Sequence, residues 1–163
     1  MFVCTANVFR SVIAEGLCRK FLENEELHRD ITVDSAGIGD TCGNRRPAPV
    51  LREFLAELDI DVADHRSKRL TEEIIETADL IVPMTRRQEQ KILTTFPSAE
   101  GKIRLLRSFD PLSNHFDVKD PWEPVSQKMQ KVYDAIYPAV LWLIRSNLLA
   151  NTGHVPTLPE RSV

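Results

Sequence analysis

A chain of 163 residues, 42% apolar and 28% charged, has room for one domain with a substantial core and an ordinary soluble balance. Its net charge of -3 speaks against general affinity for nucleic acid or anionic membranes, so any anion site has to be built locally. Cys4, Cys18 and Cys42 are too few for a disulfide framework and lack metal spacing, and no signal peptide or membrane span is evident, so a reducing cytoplasm is expected.

Phe2-Val3 reads as the end of a first strand, and Ser11 to Glu25 as a helix with Ala14, Leu17, Cys18, Phe21 and Leu22 at helical spacing. Ile31 to Ser35 is expected to be a second strand, stopped by Gly37 and Gly39. Pro47 to Leu58 presents Val50, Leu51, Phe54, Leu55 and Leu58 on one helical face, and Thr71 opens a short helix. Leu80-Ile81-Val82 is a short apolar run of the kind found in strands covered on both faces. Arg86 to Thr95 is predicted to be a helix and Ile103 to Leu106 a fourth strand. Val125 to Leu149 is a long helix in which Pro138 should introduce a kink. Residues 1–150 are therefore taken as a single domain and residues 151–163 as a polar tail. Strands alternating with helices predict an α/β fold with a parallel sheet, which binds ligands beyond the carboxyl ends of its strands.

One motif lies at such an end: Cys4-Thr5-Ala6-Asn7-Val8-Phe9-Arg10-Ser11, between the first strand and the first helix. A free thiol is mostly protonated at neutral pH, so a nucleophilic cysteine needs positive charge beside it. A helix N-terminus supplies unpaired N–H groups and a partial positive charge. Arg10 adds a planar fork that matches phosphate oxygens. The arc from Thr5 to Phe9 can turn backbone amides inward as a nest for a dianion. Alone, Cys4 could equally be a small buried hydrophobe and Arg10 a surface arginine; the strand-to-helix placement separates the readings. A second motif, Asp120-Pro121-Trp122, offers a carboxylic acid to protonate a leaving oxygen, with Trp122 to wall the site. Asp-Pro is also a common turn pair, and Asp110-Pro111 is another copy of it.

These residues resemble the low-molecular-weight protein tyrosine phosphatases, whose loop reads Cys-x-Gly-Asn-x-Cys-Arg-Ser. Asp34-Ser35-Ala36-Gly37, His65-Arg66 with Leu70-Thr71, Ala78 to Ile81 with Met84, and the run from Leu105 to Pro121 extend the likeness to all but the tail. The resemblance implies a four-stranded parallel sheet with helices on both faces, flavodoxin-like. It implies Cys4 as nucleophile, Arg10 as phosphate ligand and Asp120, from the second Asp-Pro pair, as general acid and base. It further implies that Ser11, Ser35 and His65 hold Asn7 in a strained conformation, that Ser11 eases departure of the thiolate, and that Thr41 joins Trp122 in the substrate wall. By themselves Ser35 would read as a turn hydroxyl and His65 as a satisfied histidine.

The chain departs from that pattern at several places. Phe9 replaces the second loop cysteine, so the usual intraloop disulfide cannot form; Cys18 reads as core, and Cys42, in a separate loop, is not an evident substitute. Ala6 replaces a glycine, which would cost roughly 1 kcal/mol or more if the position needs a positive φ. Val12 stands for a proline and Thr85 for an aspartate. The expected reaction is hydrolysis of phosphotyrosine in proteins, with no metal or other cofactor because the loop carries the positive charge. The expected partner is a tyrosine-phosphorylated protein, a tyrosine kinase being one candidate, and the chain is expected to be a monomer or weak dimer. Alternatives are a protein-arginine phosphatase, for which threonine at the position of Val8 would be the mark, and a catalytically weak phosphate-binding module. Arsenate reduction would need further cysteines, and none follows Cys42.

Overall fold

The computed structural model describes residues 1–40, 42–121 and 126–152. In chain order the elements are β1 (Phe2–Cys4), α1 (Arg10–Asn24), β2 (Ser35–Gly37), α2 (Pro49–Ala56), α3 (Glu72–Thr77), β3 (Val82–Pro83), α4 (Arg86–Thr95) and α5 (Ser126–Thr152), with short 3₁₀ turns at Pro97–Ala99 and Leu106–Ser108. The sheet is parallel, with β1 between β2 and β3. Alternation along β1 divides the interior. Phe2 and Cys4 enter a core with Leu17 and Leu22 of α1, Leu51 and Leu55 of α2, and Ile136 and Val140 of α5. Val3 points to the opposite core, with Ile75 of α3, Ile81, and Ile92 of α4. Helices therefore cover both faces, as the α/β reading requires. Each fully buried leucine contributes on the order of 2 kcal/mol, and Leu17, Leu22, Leu51 and Leu55 are all essentially inaccessible.

Two strands differ from the sequence reading. The second was expected over Ile31 to Ser35, but β2 begins at Ser35 because its rungs lie opposite β1: Phe2 with Ser35, Val3 with Ala36 and Cys4 with Gly37. Ile31 instead closes a turn, its N–H donating to Leu27 O at 3.2 Å. The fourth was expected over Ile103 to Leu106. It is reduced to one parallel bridge, Ile81 with Ile103, and Leu106 opens a 3₁₀ turn. The ladder starts well: Ile81 N–H donates to Lys102 O at 2.7 Å, and Arg104 N–H to Ile81 O at 2.9 Å. The next rung would need an N–H on Pro83, which proline lacks. On the far side of β2, Gly37 forms a parallel bridge with Arg69, which brings the segment around Lys68 beside the loop after β1.

The helices follow their patterns closely. α2 starts at Pro49, a fixed-φ residue suited to a first turn, and is shorter than Pro47 to Leu58 at both ends. Thr71 caps α3 and Thr85 caps α4, each hydroxyl accepting from the backbone N–H three residues on. Thr85 thus has a structural task where an aspartate was the family expectation. α5 runs through Pro138 and reaches Thr152, past the boundary at residue 150; Val125 and residues 153–163 of the expected tail lie outside the described residues. Among the described residues no helix is long and apolar enough to cross a membrane.

Candidate active site

Cys4 ends β1 and Arg10 begins α1, so residues 5–9 form the arc between them at the carboxyl end of the central strand. Cys4 is buried, with Sγ 3.0 Å from Ser11 Oγ and 3.3 Å from Asn7 N, which donates to it. The N-cap of α1 is Phe9, whose side chain cannot cap, and its first turn carries no acid. The helix's positive end is therefore left for an anion.

Asn7 bends the arc. Its φ of 53° lies in the left-handed region, which asparagine tolerates better than most residues. Its Nδ2 donates to Ser11 Oγ at 3.0 Å and Ser35 Oγ at 2.7 Å. Its Oδ1 accepts from Lys68 N at 2.9 Å, and its backbone O meets His65 Nε2 at 3.0 Å. The three supports named from the sequence, Ser11, Ser35 and His65, thus converge on Asn7. The condition set for Ala6 is not met: it is not among the positive-φ residues, so alanine in place of glycine carries no left-handed strain. Val8 and Phe9 are half-buried, and Phe9 packs against the core shared by α1 and α5.

The sequence reading missed Glu15. This buried carboxylate accepts from Ser35 Oγ at 2.5 Å and from Arg19 at 2.6 Å, and lies 3.5 Å from His65 Nδ1. Asn7, Ser35, Glu15 and His65 therefore form a closed ring of polar contacts. A buried charge is tolerable only with such partners. The available signal was its position, an acid inside the apolar stripe of α1 and four residues before Arg19. Gln88 was also missed. It is buried in α4, accepts from Met84 N at 3.0 Å and donates to Thr5 Oγ1 at 3.1 Å, tying the arc to the opposite layer.

Arg10 is buried, donating through Nη1 to Val118 O at 3.1 Å and through Nη2 to Asp120 Oδ2 at 2.6 Å, with Thr5 Oγ1 at 3.5 Å. The two Asp-Pro pairs separate here. Asp110 is a turn residue, accepting from Leu112 N at 3.0 Å, whereas Asp120 meets the loop arginine. The Asp120 side chain is 58% exposed, so it is open to an arriving ligand. Trp122 and Thr41, the expected wall, lie outside the described residues.

The other two thiols lie outside this set of contacts. Burial pushes Cys18 up to about 12, and burial also raises Cys42, whose thiol donates to Thr5 O at 3.1 Å. Neither is a ready thiolate at neutral pH. Among the described residues no cluster of His, Cys, Asp and Glu is placed to hold a metal ion. The arrangement joins a hydrogen-bonded thiol, a helix N-terminus, a guanidinium fork and a half-exposed acid beside one arc, a set suited to gripping a phosphoryl group and attacking it.

Fold and site together define a cysteine-based phosphatase on a parallel α/β scaffold. The family model for "low molecular weight phosphotyrosine protein phosphatase" matches residues 1–151, and the chain belongs to that family. It is 32% identical over 148 residues to a probable low molecular weight protein-tyrosine-phosphatase, EpsP, of Ralstonia nicotianae, covering 86% of this chain and 94% of that one. It is 37% identical over 122 residues to a protein-arginine-phosphatase of Bacillus subtilis, covering 75% and 78%. The crystal structure of a mutant of Bacillus subtilis YwlE superposes with a TM-score of 0.80 at 33% identity, covering 90% of this chain and 95% of that one.

Proposed function

We propose that this chain hydrolyses phosphotyrosine in proteins through a cysteinyl-phosphate on Cys4. The observation that carries the reading is an arc that begins at Cys4 and ends at Arg10, with Cys4 Sγ 3.0 Å from Ser11 Oγ and Arg10 Nη2 2.6 Å from Asp120 Oδ2. In the first step Cys4 Sγ attacks phosphorus and the P–O bond to the phenol breaks. Asp120 gives its proton to the leaving oxygen. Arg10 and the amides of residues 5–9 hold the equatorial oxygens, where charge gathers. An arriving dianion takes over the fork of Arg10 and releases Asp120 toward the leaving group. In the second step Asp120 removes a proton from water, the water oxygen bonds to phosphorus and the S–P bond breaks. Ser11 Oγ, 3.0 Å from Sγ, donates to the departing thiolate. Residues 1–150 act as one catalytic domain in the cytoplasm, as a monomer or weak dimer, with a tyrosine kinase among the candidate phosphoprotein substrates.

Turnover of para-nitrophenyl phosphate and a phosphotyrosyl peptide tests this reading. Cys4→Ser is expected to abolish turnover while retaining phosphate binding. Asp120→Asn is expected to slow the peptide by about 10²- to 10⁴-fold, and activated aryl esters less. Appreciable turnover by Cys4→Ser, or a larger effect from Asp110→Asn, would overturn the assignment. Likeness to the arginine phosphatase supports a second reading, hydrolysis of phosphoarginine. Val8 offers only methyl groups where a hydroxyl could contact a guanidinium, which favours tyrosine. Val8→Thr should then raise the ratio of phosphoarginine to phosphotyrosine kcat/KM.

A further inference from the structure

Asp120 forms one wall of a second feature, a cavity of about 890 Å³ between the segment 114–121 and the first turns of α5. Its volume lies in the range of ligand-binding clefts. Phe116, Val132 and Ala135 supply apolar lining. Among the described residues the charged lining is unbalanced, with Arg86, Arg107, Lys119, Lys128 and Lys131 set against Asp117 and Asp120, in a chain whose net charge is -3. Both acids are already engaged, Asp117 by the backbone N–H of Arg86 at 2.8 Å and Asp120 by Arg10. Arg107, Lys119 and Lys131 take part in none of the ion pairs among the described residues. Arg107 Nε is buried without a hydrogen-bond partner, a donor whose desolvation goes uncompensated. The Arg86 guanidinium lies 4.7 Å from the centroid of Phe116, so cationic and apolar surfaces are interleaved at the rim.

Resting on the phosphatase reading above, we propose that this cavity seats the acidic residues flanking the phosphorylated residue of a protein substrate. Its apolar lining takes the stems and neighbours of those residues, and its arginines and lysines take their carboxylates. The position fits such an occupant. Asp120 has to face the leaving oxygen, and an extended peptide advances roughly 3.3 Å per residue. Arg107, Lys119 and Lys131 line the same cavity as Asp120, so a peptide leaving the phosphate arc along that wall carries its flanking side chains toward them. Charge complementarity of this kind raises association rate and discriminates between partners.

The test measures kcat/KM for phosphotyrosyl peptides with glutamate, alanine or lysine flanks, each divided by the value for para-nitrophenyl phosphate, which lacks flanking residues. Glutamate flanks are expected to exceed lysine flanks about tenfold or more at low salt, with the gap shrinking in 0.5 M NaCl. Lys131→Glu is expected to cut the gap several-fold, and Lys131→Ala less. Ratios within one protein cancel any loss of folded enzyme. Equal values for glutamate and lysine flanks, or a gap that Lys131→Glu leaves intact, would overturn the proposal. Affinity of Cys4→Ser for the same phosphopeptides separates the two failures. A glutamate preference in binding without turnover by the unaltered chain would sink the catalytic reading and support the cavity's role. Turnover without flank preference would do the reverse.

Discussion

Asn7 shows how much one side chain can be asked to do. It holds a φ of 53° while its amide serves Ser11, Ser35 and Lys68 at once. Asn7→Ala keeps the backbone demand and removes all of those bonds, leaving the Lys68 amide without its partner and Ser35 with Glu15 alone. A lost buried hydrogen bond costs about 1 to 3 kcal/mol, so thermal unfolding should show a clear loss of stability. Turnover should fall about tenfold or more, since 1.4 kcal/mol of misplacement at the reacting atoms is tenfold. A variant as active and as stable as the parent would remove Asn7 from the loop's support. Cys4, Arg10 and Ser11 were legible because they are adjacent in sequence and each has a chemical reason to be there. Glu15 was not, because an acid within a helix reads as solvated. Its burial depends on Ser35 and His65, which arrive from distant segments. Ala6 stayed an open question because sequence alone does not say which residue of a tight arc takes the left-handed conformation, and it is Asn7 that does.

At the scale of elements, helices were more legible than strands, of which β1 was read in place and the outer ones were not. A helix carries its own period and caps, as Thr71 and Thr85 show. A strand exists only where a partner offers rungs, so β2 was misplaced and the run at Ile103 collapsed to one bridge beside Pro83. β2 also bears directly on the site. A Cβ built on Gly37 would lie 2.2 Å from Cys42 Sγ, 2.9 Å from Thr5 O and 3.1 Å from Asn7 N. The sulfur can move, but the two backbone atoms belong to the phosphate arc. Gly37→Ala should therefore destabilise the fold by roughly 1 to 3 kcal/mol and lower turnover. Adding Cys42→Ala should restore only part, since the backbone contacts remain. Gly43→Ala is the control, because a Cβ there meets nothing. Equal melting temperature and activity for Gly37→Ala and Gly43→Ala would show that the arc can yield.

For the molecule as a whole, groups buried at the larger core make stability fall at alkaline pH. Cys18 lies in the larger core with Leu17 and Leu22, and burial pushes its thiol up to about 12 from the usual thiol value near 9. The unfolded chain then releases this proton as pH rises past about 9, while the native chain keeps it until about 12. Over that interval the native state binds more protons, so raising pH favours unfolding. The stability linked to Cys18 is fully present below the unfolded value and is lost progressively through the interval, by at most about 1.4 kcal/mol per pH unit. Tyr133, also pushed up to about 12 by burial, adds a similar slope only above the ordinary tyrosine range near 10. Cys42, also raised by burial, adds a slope of the same sign above pH 9, so Cys18 is isolated by the difference between parent and Cys18→Ala, which both keep Cys42. Cys18→Ala should lower stability at pH 8 by about 1 kcal/mol, the loss of a small buried group. Its urea midpoint should then fall less steeply than the parent's between pH 9 and 10. Cys18 should also resist a thiol reagent in the native protein at pH 8 and react once urea unfolds it. Parallel stability curves for parent and variant, or rapid native labelling of Cys18, would mean that this side of the core admits water and does not hold the thiol neutral.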